Sequence, residues 1–136
     1  MDNSFPRVSF AKRQYQQKQF VEGSAINLPF KNKSFEAVLL ANTVHHLSDA
    51  EFLTGIKEMK RVSSKYIIID DCVKTQDQTD LSKFFYSLDR GTMFRYIDEL
   101  EEFLRKLEGL KLVHKATHRT FPGLYLHAVF MLEVTK

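Results

Sequence analysis

Two short apolar runs constrain this chain more than anything else in it. The first, "FEAVLLAN", is nearly continuously apolar from Ala37 to Ala41. The second, "KYIIIDD", carries the β-branched Ile67, Ile68 and Ile69 and stops at two carboxylates. Apolar runs without alternation are expected of strands covered on both faces, as in parallel sheets. Between them lies "LSDAEFLTGIKEMKRV". Ser48 and Glu51 have capping-box spacing there, and Phe52, Ile56 and Met59 recur at helical intervals.

The flanks extend the pattern. "FPRVSFAKRQYQQ" reads as a short helix with Pro6 in its first turn, "KQFVEG" as a brief strand ending at Gly23, and "LPFKNKSF" as a turn and loop. Thr79 is placed to cap a helix carrying Leu81, Phe84, Phe85 and Leu88, ending near Gly91. Asp98 and Glu101 open a further helix with Leu100, Phe103, Leu104 and Leu107 on its apolar side, and Gly109 sits where that helix should stop. "LKLVHKATHR" and "LYLHAVFMLEV", joined by the turn "TFPG", form a terminal antiparallel hairpin. The order strand, helix, strand, helix, helix, hairpin is that of an α/β fold. At 136 residues it fits one domain, 1–136.

Composition excludes several classes. No apolar run approaches the ~20 residues of a membrane span, and the N-terminus has no basic region followed by an apolar core. No membrane partner is therefore expected. The single Cys72 rules out an internal disulfide framework and fits a cytoplasmic location. The net charge of +3 is modest, and the early cluster of Arg7, Lys12, Arg13 and Lys18 lacks the density of a nucleic-acid surface, so no nucleic-acid partner is expected. Among the five histidines, His114, His118 and His127 invite a metal reading. No second cysteine, and no carboxylate at ligand spacing in that segment, accompanies them, so no metal is expected.

The run "FVEGSAINLPFKNKSFEAVLLANTVHHL", continued through "EMKRV" and "YIIIDD", resembles the class I S-adenosylmethionine-dependent methyltransferases, most closely the group typified by ubiquinone and menaquinone biosynthesis enzymes. In that family a strand ends in Gly-Asp-Ala and is followed by Leu-Pro-Phe, a polar turn, Ser-Phe-Asp, a strand and often His-His-Leu. The resemblance spans roughly residues 1 to 71; beyond that the element order agrees. It implies a Rossmann-like fold with strand order third, second, first, fourth, fifth, seventh, sixth, S-adenosylmethionine as cofactor, and a small-molecule methyl acceptor.

The resemblance also assigns residues. Asp2 takes the place of the acid that accepts both ribose hydroxyls, a task suited to a carboxylate. Ser24 stands where the family's adenine-contacting Asp would be; with Ala25 and with Asn42 after "FEAVLLA" it completes the implied cofactor set. His45 and His46 follow a central strand at the edge where open α/β sheets bind ligands, and imidazole titrates near neutrality, so either is a candidate base. Asp70 and Asp71 end the next strand and read as caps accepting backbone hydrogen bonds.

One expected feature is missing. The family's Gly-rich loop follows its first strand, whereas this sequence contains no G-x-G. The chain therefore reads as an N-terminally incomplete class I fold, a mostly parallel sheet ending in an antiparallel hairpin, that by itself binds the cofactor weakly or not at all. With the first and second strand places empty, "KQFVEG" cannot keep its family position. It must then move beside "FEAVLLAN", fray, or leave the open edge to self-association or a second chain. The alternative to an enzyme is a non-catalytic methyltransferase-like subunit that binds a partner.

Overall fold

The computed structural model describes residues 1–88, 93–120 and 124–135. In chain order the elements are α1 (Phe5–Gln14), β1 (Phe35–Ala41), a single 3-10 turn (Val44–His46), α2 (Asp49–Val62), β2 (Ser63–Val73), α3 (Asp80–Leu88), α4 (Ile97–Arg105), β3 (Leu110–Arg119) and β4 (Leu126–Val134). One sheet runs β1-β2-β4-β3. This is the order fourth, fifth, seventh, sixth implied by the resemblance.

Only β1 and β2 pair in parallel; β2 with β4 and β4 with β3 are antiparallel. The described sheet is thus mixed rather than mostly parallel, because the hairpin supplies two of its three pairings.

The core lies on one face. Ile67, Ile69 and Val73 of β2 and Ala128, Phe130 and Leu132 of β4 are buried against Phe52, Ile56, Met59 and Val62 of α2 and Leu100 and Leu104 of α4. The capping box forms as expected: Glu51 N–H donates to Ser48 Oγ, and Ser48 N–H donates to Glu51 Oε2 at 2.9 Å. A cap of this kind stabilises a helix by about 1 kcal/mol. Thr79 caps α3, accepting from Ser82 N–H at 3.2 Å. After α4, Gly109 adopts φ +69°, a left-handed turn that leads the chain into β3.

Three expectations change. The opposite face of the sheet is only partly covered: Ile68, Asp70 and Cys72 are half-buried and Leu39 of β1 is 60% exposed. The unbroken apolar run of β1 therefore does not mean cover on both faces here. Next, "KQFVEG" neither moves beside β1 nor forms a strand. It makes one parallel bridge, Asp2 with Glu22, in which Gly23 N–H donates to Asp2 O at 3.0 Å. Finally, Leu81, Phe84 and Leu88 of α3 face outward. The helix is held instead by Tyr86, whose hydroxyl donates to Val73 O at 2.7 Å, and by Ser82, whose hydroxyl donates to Leu124 O at 2.7 Å. Burial pushes the Tyr86 phenol up to about 12. The expected helix end at Gly91 and the turn residues Phe121 to Gly123 lie outside the described residues.

The polar loop before β1 is tied to α2 by an ion pair with backbone branches. Arg61 donates to both carboxylate oxygens of Glu58, to Phe30 O at 2.7 Å and to Leu28 O at 3.0 Å, while Leu28 N–H donates to Glu58 Oε2 at 2.8 Å. The Arg61 guanidinium, then the Leu28 N–H, hold the Glu58 carboxyl down to about 2 from its ordinary 4.5. A lowered folded value means that ionised Glu58 stabilises the fold fully above about pH 4.5 and progressively less as pH falls toward 2. In Glu58→Gln that contribution should be absent. The difference in Tm between wild type and variant should be constant above pH 5 and shrink between roughly pH 4.5 and 2. A difference that does not change with pH across that window would remove Glu58 from this role.

Candidate active site

The carboxyl ends of β1 and β2 open into a cleft of about 370 Å³ lined by Asn42, His45, His46, Cys72, Thr120, Tyr125 and His127. The chain leaves β1 through Asn42, a left-handed residue at φ +49° whose N–H donates to Asp70 O at 2.9 Å. It then turns through Thr43 into the 3-10 turn that carries both histidines.

Asp71 organises that turn. Its side chain is 1% exposed. One oxygen accepts from Thr43 N–H (2.7 Å) and Val44 N–H; the other accepts from Cys72 N–H (2.7 Å) and pairs with His45 Nδ1. Three backbone N–H groups already donate to this carboxylate, so it acts as acceptor and Nδ1 carries the hydrogen that meets it. His45 is 6% exposed and sits between two rings. Phe94 stacks on it at 5.0 Å and 3°, and His46 lies at 4.1 Å and 45°. His46 is exposed at the cleft.

A later segment locks the turn from outside. Met93 N–H donates to His45 O at 3.0 Å. Arg95 donates to Val44 O (3.0 Å), Leu47 O (2.9 Å) and Asp49 Oδ1 (2.7 Å), and its guanidinium lies 5.1 Å from the Phe52 ring. Nothing in the local sequence marks Phe94 or Arg95 for this task, since both act on residues some fifty positions earlier.

Three of the six expected site residues, Asn42, His45 and His46, meet in the cleft. Asp2, Ser24 and Ala25 do not line it. Asp2 Oδ1 accepts from Ser4 N–H at 2.8 Å, and Oδ2 lies 3.7 Å from Arg7; the side chain is 37% exposed. Ser24 is exposed in a turn bridged to Asn27, and Ala25 O faces Gly55 of α2. Cys72, Thr120, Tyr125 and His127 join the cleft from β2 and the hairpin. Cys72 and His127 were legible only through the strand pairing that sets them side by side.

A Rossmann-like half-sheet with a ligand cleft at its carboxyl edge defines the class: this is the class I methyltransferase fold. Residues 1–66 match the family described as Methyltransferase domain. No curated protein matches the sequence. Among solved structures, a SAM-dependent methyltransferase from Methanosarcina mazei superposes with a TM-score of 0.77 at 16% identity, over 98% of this chain and 80% of that one. Magnesium protoporphyrin IX methyltransferase from Synechocystis PCC 6803, solved with SAH bound, gives 0.70 at 15% identity, over 94% and 59%. The [4+2]-cyclase SpnF gives 0.72 at 14% identity, over 98% and 64%. The chain therefore spans between three-fifths and four-fifths of the length of these neighbours. The cyclase also demonstrates that the fold alone does not dictate the reaction. No described helix is long and apolar enough to cross a membrane.

The geometry makes Asp71 indispensable to the turn. Asp71→Asn would aim an amide N–H at backbone donors or lose the His45 partner, and breaking a buried charged network costs about 3–5 kcal/mol. Urea unfolding should register a loss of that order for Asp71→Asn and a smaller one for His45→Asn. A loss below about 1 kcal/mol for the Asp71 variant would mean that the turn holds without it.

Proposed function

We propose that this chain is part of an S-adenosylmethionine-dependent methyltransferase acting on a small molecule, with His45 as general base. The observation that carries the reading is the buried Asp71–His45 pair at the mouth of the cleft. The match of residues 1–66 to the methyltransferase domain and the neighbour with bound SAH support the cofactor. The run Leu28 to Leu47 supports a place in the quinone-biosynthesis type of the family.

When bound, S-adenosylmethionine supplies a methyl group already activated by its sulfonium. Asp2, Ser24, Ala25 and Asn42 are the residues we assign to holding it. The chain's remaining work is orientation of the acceptor and removal of its proton. His45 Nε2 takes the proton from the acceptor's nucleophilic atom. Asp71 keeps the ring in the tautomer that can accept it and faces the imidazolium that results, and Phe94 fixes the plane of the ring. His46, exposed beside it, contacts the acceptor.

Calorimetric titration with S-adenosylmethionine and a radiolabelled methyl-transfer assay over small phenols, enols and amines test the reading. His45→Ala should lower turnover by about 10²–10⁴-fold with the circular dichroism of the fold unchanged. Intact turnover in both His45→Ala and His46→Ala would dismiss a histidine base, and no methyl transfer to any of these acceptors would dismiss the enzyme reading.

A second reading, a non-catalytic subunit that binds a partner chain, is favoured by β1. Among the described residues its outer edge pairs with no strand, and Leu39 and Phe35 are exposed along it. Self-association through that edge should give dimers or larger species in light scattering, reduced by Leu39→Lys. A monodisperse monomer at all concentrations would exclude self-association through that edge.

A further inference from the structure

The strand register places a line of metal-type ligands across the less covered face of the sheet. Cys72 of β2 is opposite His127 of β4, which is opposite His118 of β3. Residues directly opposite share a face, and Asp70, two positions before Cys72, shares it too. The ligand atoms of Asp70, His118 and His127 all lie within 4.8 Å of one another. His127 Nδ1 is 3.0 Å from Asp70 Oδ1, His127 Nε2 is 3.1 Å from Cys72 Sγ, and the His118 and His127 rings are 5.0 Å apart.

We propose that Asp70, His118 and His127 form a binding site for one divalent transition-metal ion of the zinc type, independent of methyl transfer. Two imidazoles and one carboxylate are the donor set of open zinc sites, which leave a fourth position for water or a ligand. Of the three ligands His127 also lines the cleft, so the site borders it. Bonds of about 2.0–2.2 Å draw the ligand atoms of such a site closer than the span seen here. The exposed His118 is free to make the inward adjustment by a rotamer change, whereas His127 is 6% exposed and held in place. Cys72, against the second nitrogen of His127, orients that ring as an outer partner does in metal sites. Asp70 is 28% exposed in its side chain, so the site has an entry path from solvent. The carboxylate missing from the hairpin segment is supplied by β2, 57 positions away from His127.

The test uses the whole chain, freed of metal by a chelator and then titrated with Zn²⁺ by calorimetry and with Co²⁺ by visible absorption. One ion per chain should bind, with the strong d–d absorption of low-coordinate Co²⁺. His118→Ala, at an exposed position where folding is not at stake, and Asp70→Asn should each weaken binding by about tenfold or more. His114→Ala, on the same strand but outside the cluster, should leave it unchanged. The proposal is overturned by the absence of saturable binding below millimolar metal. It is equally overturned if affinity persists in His118→Ala and Asp70→Asn, or if His45→Ala or His46→Ala removes binding in their stead.

Discussion

The buried Asp71 carboxylate is the interaction on which the site depends. It gathers the N–H groups of Thr43, Val44 and Cys72 together with the ring of His45, and so joins the loop after β1 to the end of β2. A charge at 1% exposure is tolerable only because each oxygen meets donors. The same bonds that make it tolerable fix the histidine turn. Stability of the turn and orientation of the imidazole are therefore one property, which is the economy of a site supported by its own fold rather than by added parts.

Two arginines repeat this logic on the surface side. Arg61 reaches back from the end of α2 to hold Leu28 and Phe30 through their carbonyls, and Arg95 reaches back to hold Val44 and Leu47. Loops rich in Lys and Asn cannot bury enough apolar area to settle by themselves. A planar guanidinium with five donors satisfies several carbonyls at once, and its charge is balanced by Glu58 or Asp49 beside it. The "LPFKNKS" turn thus opens cleanly into β1 because α2 clamps it from the side.

Much of the fold was legible because it is written locally. Ser48 with Glu51, the 3.6-residue period of Phe52, Ile56 and Met59, and Gly109 after α4 each declare an element within a few residues. The sheet order followed from resemblance rather than from these signals. What failed was cover. An apolar run such as "FEAVLLA" states that a strand can be buried, but whether it is depends on what packs over it, and Leu39 is 60% exposed. The apolar stripe of α3 misled in the same way, since Ser82 and Tyr86 anchor the helix through hydrogen bonds to distant backbone. In the site, His45 and His46 were visible at a strand end, whereas Phe94, Arg95 and the pairing of His127 with Asp70 were not, because each contact closes a loop of tens of residues.

The two adjacent acids of β2 draw these strands of argument together. Successive residues on a strand point to opposite faces, so Asp71 must face the core side and Asp70 the other. Asp71 goes to the histidine turn, and Asp70 goes to His127 across the register with β4. A slip of one residue would exchange them and turn Ile67 and Ile69 outward as well. Both isoleucines are 0% exposed, each packed in the same core as Phe130 and Leu132. The register that buries those side chains is therefore also what assigns each carboxylate its partner. The hydrophobic core, which reaches the histidine turn through Val44, thereby sets which carboxylate serves each side of the sheet.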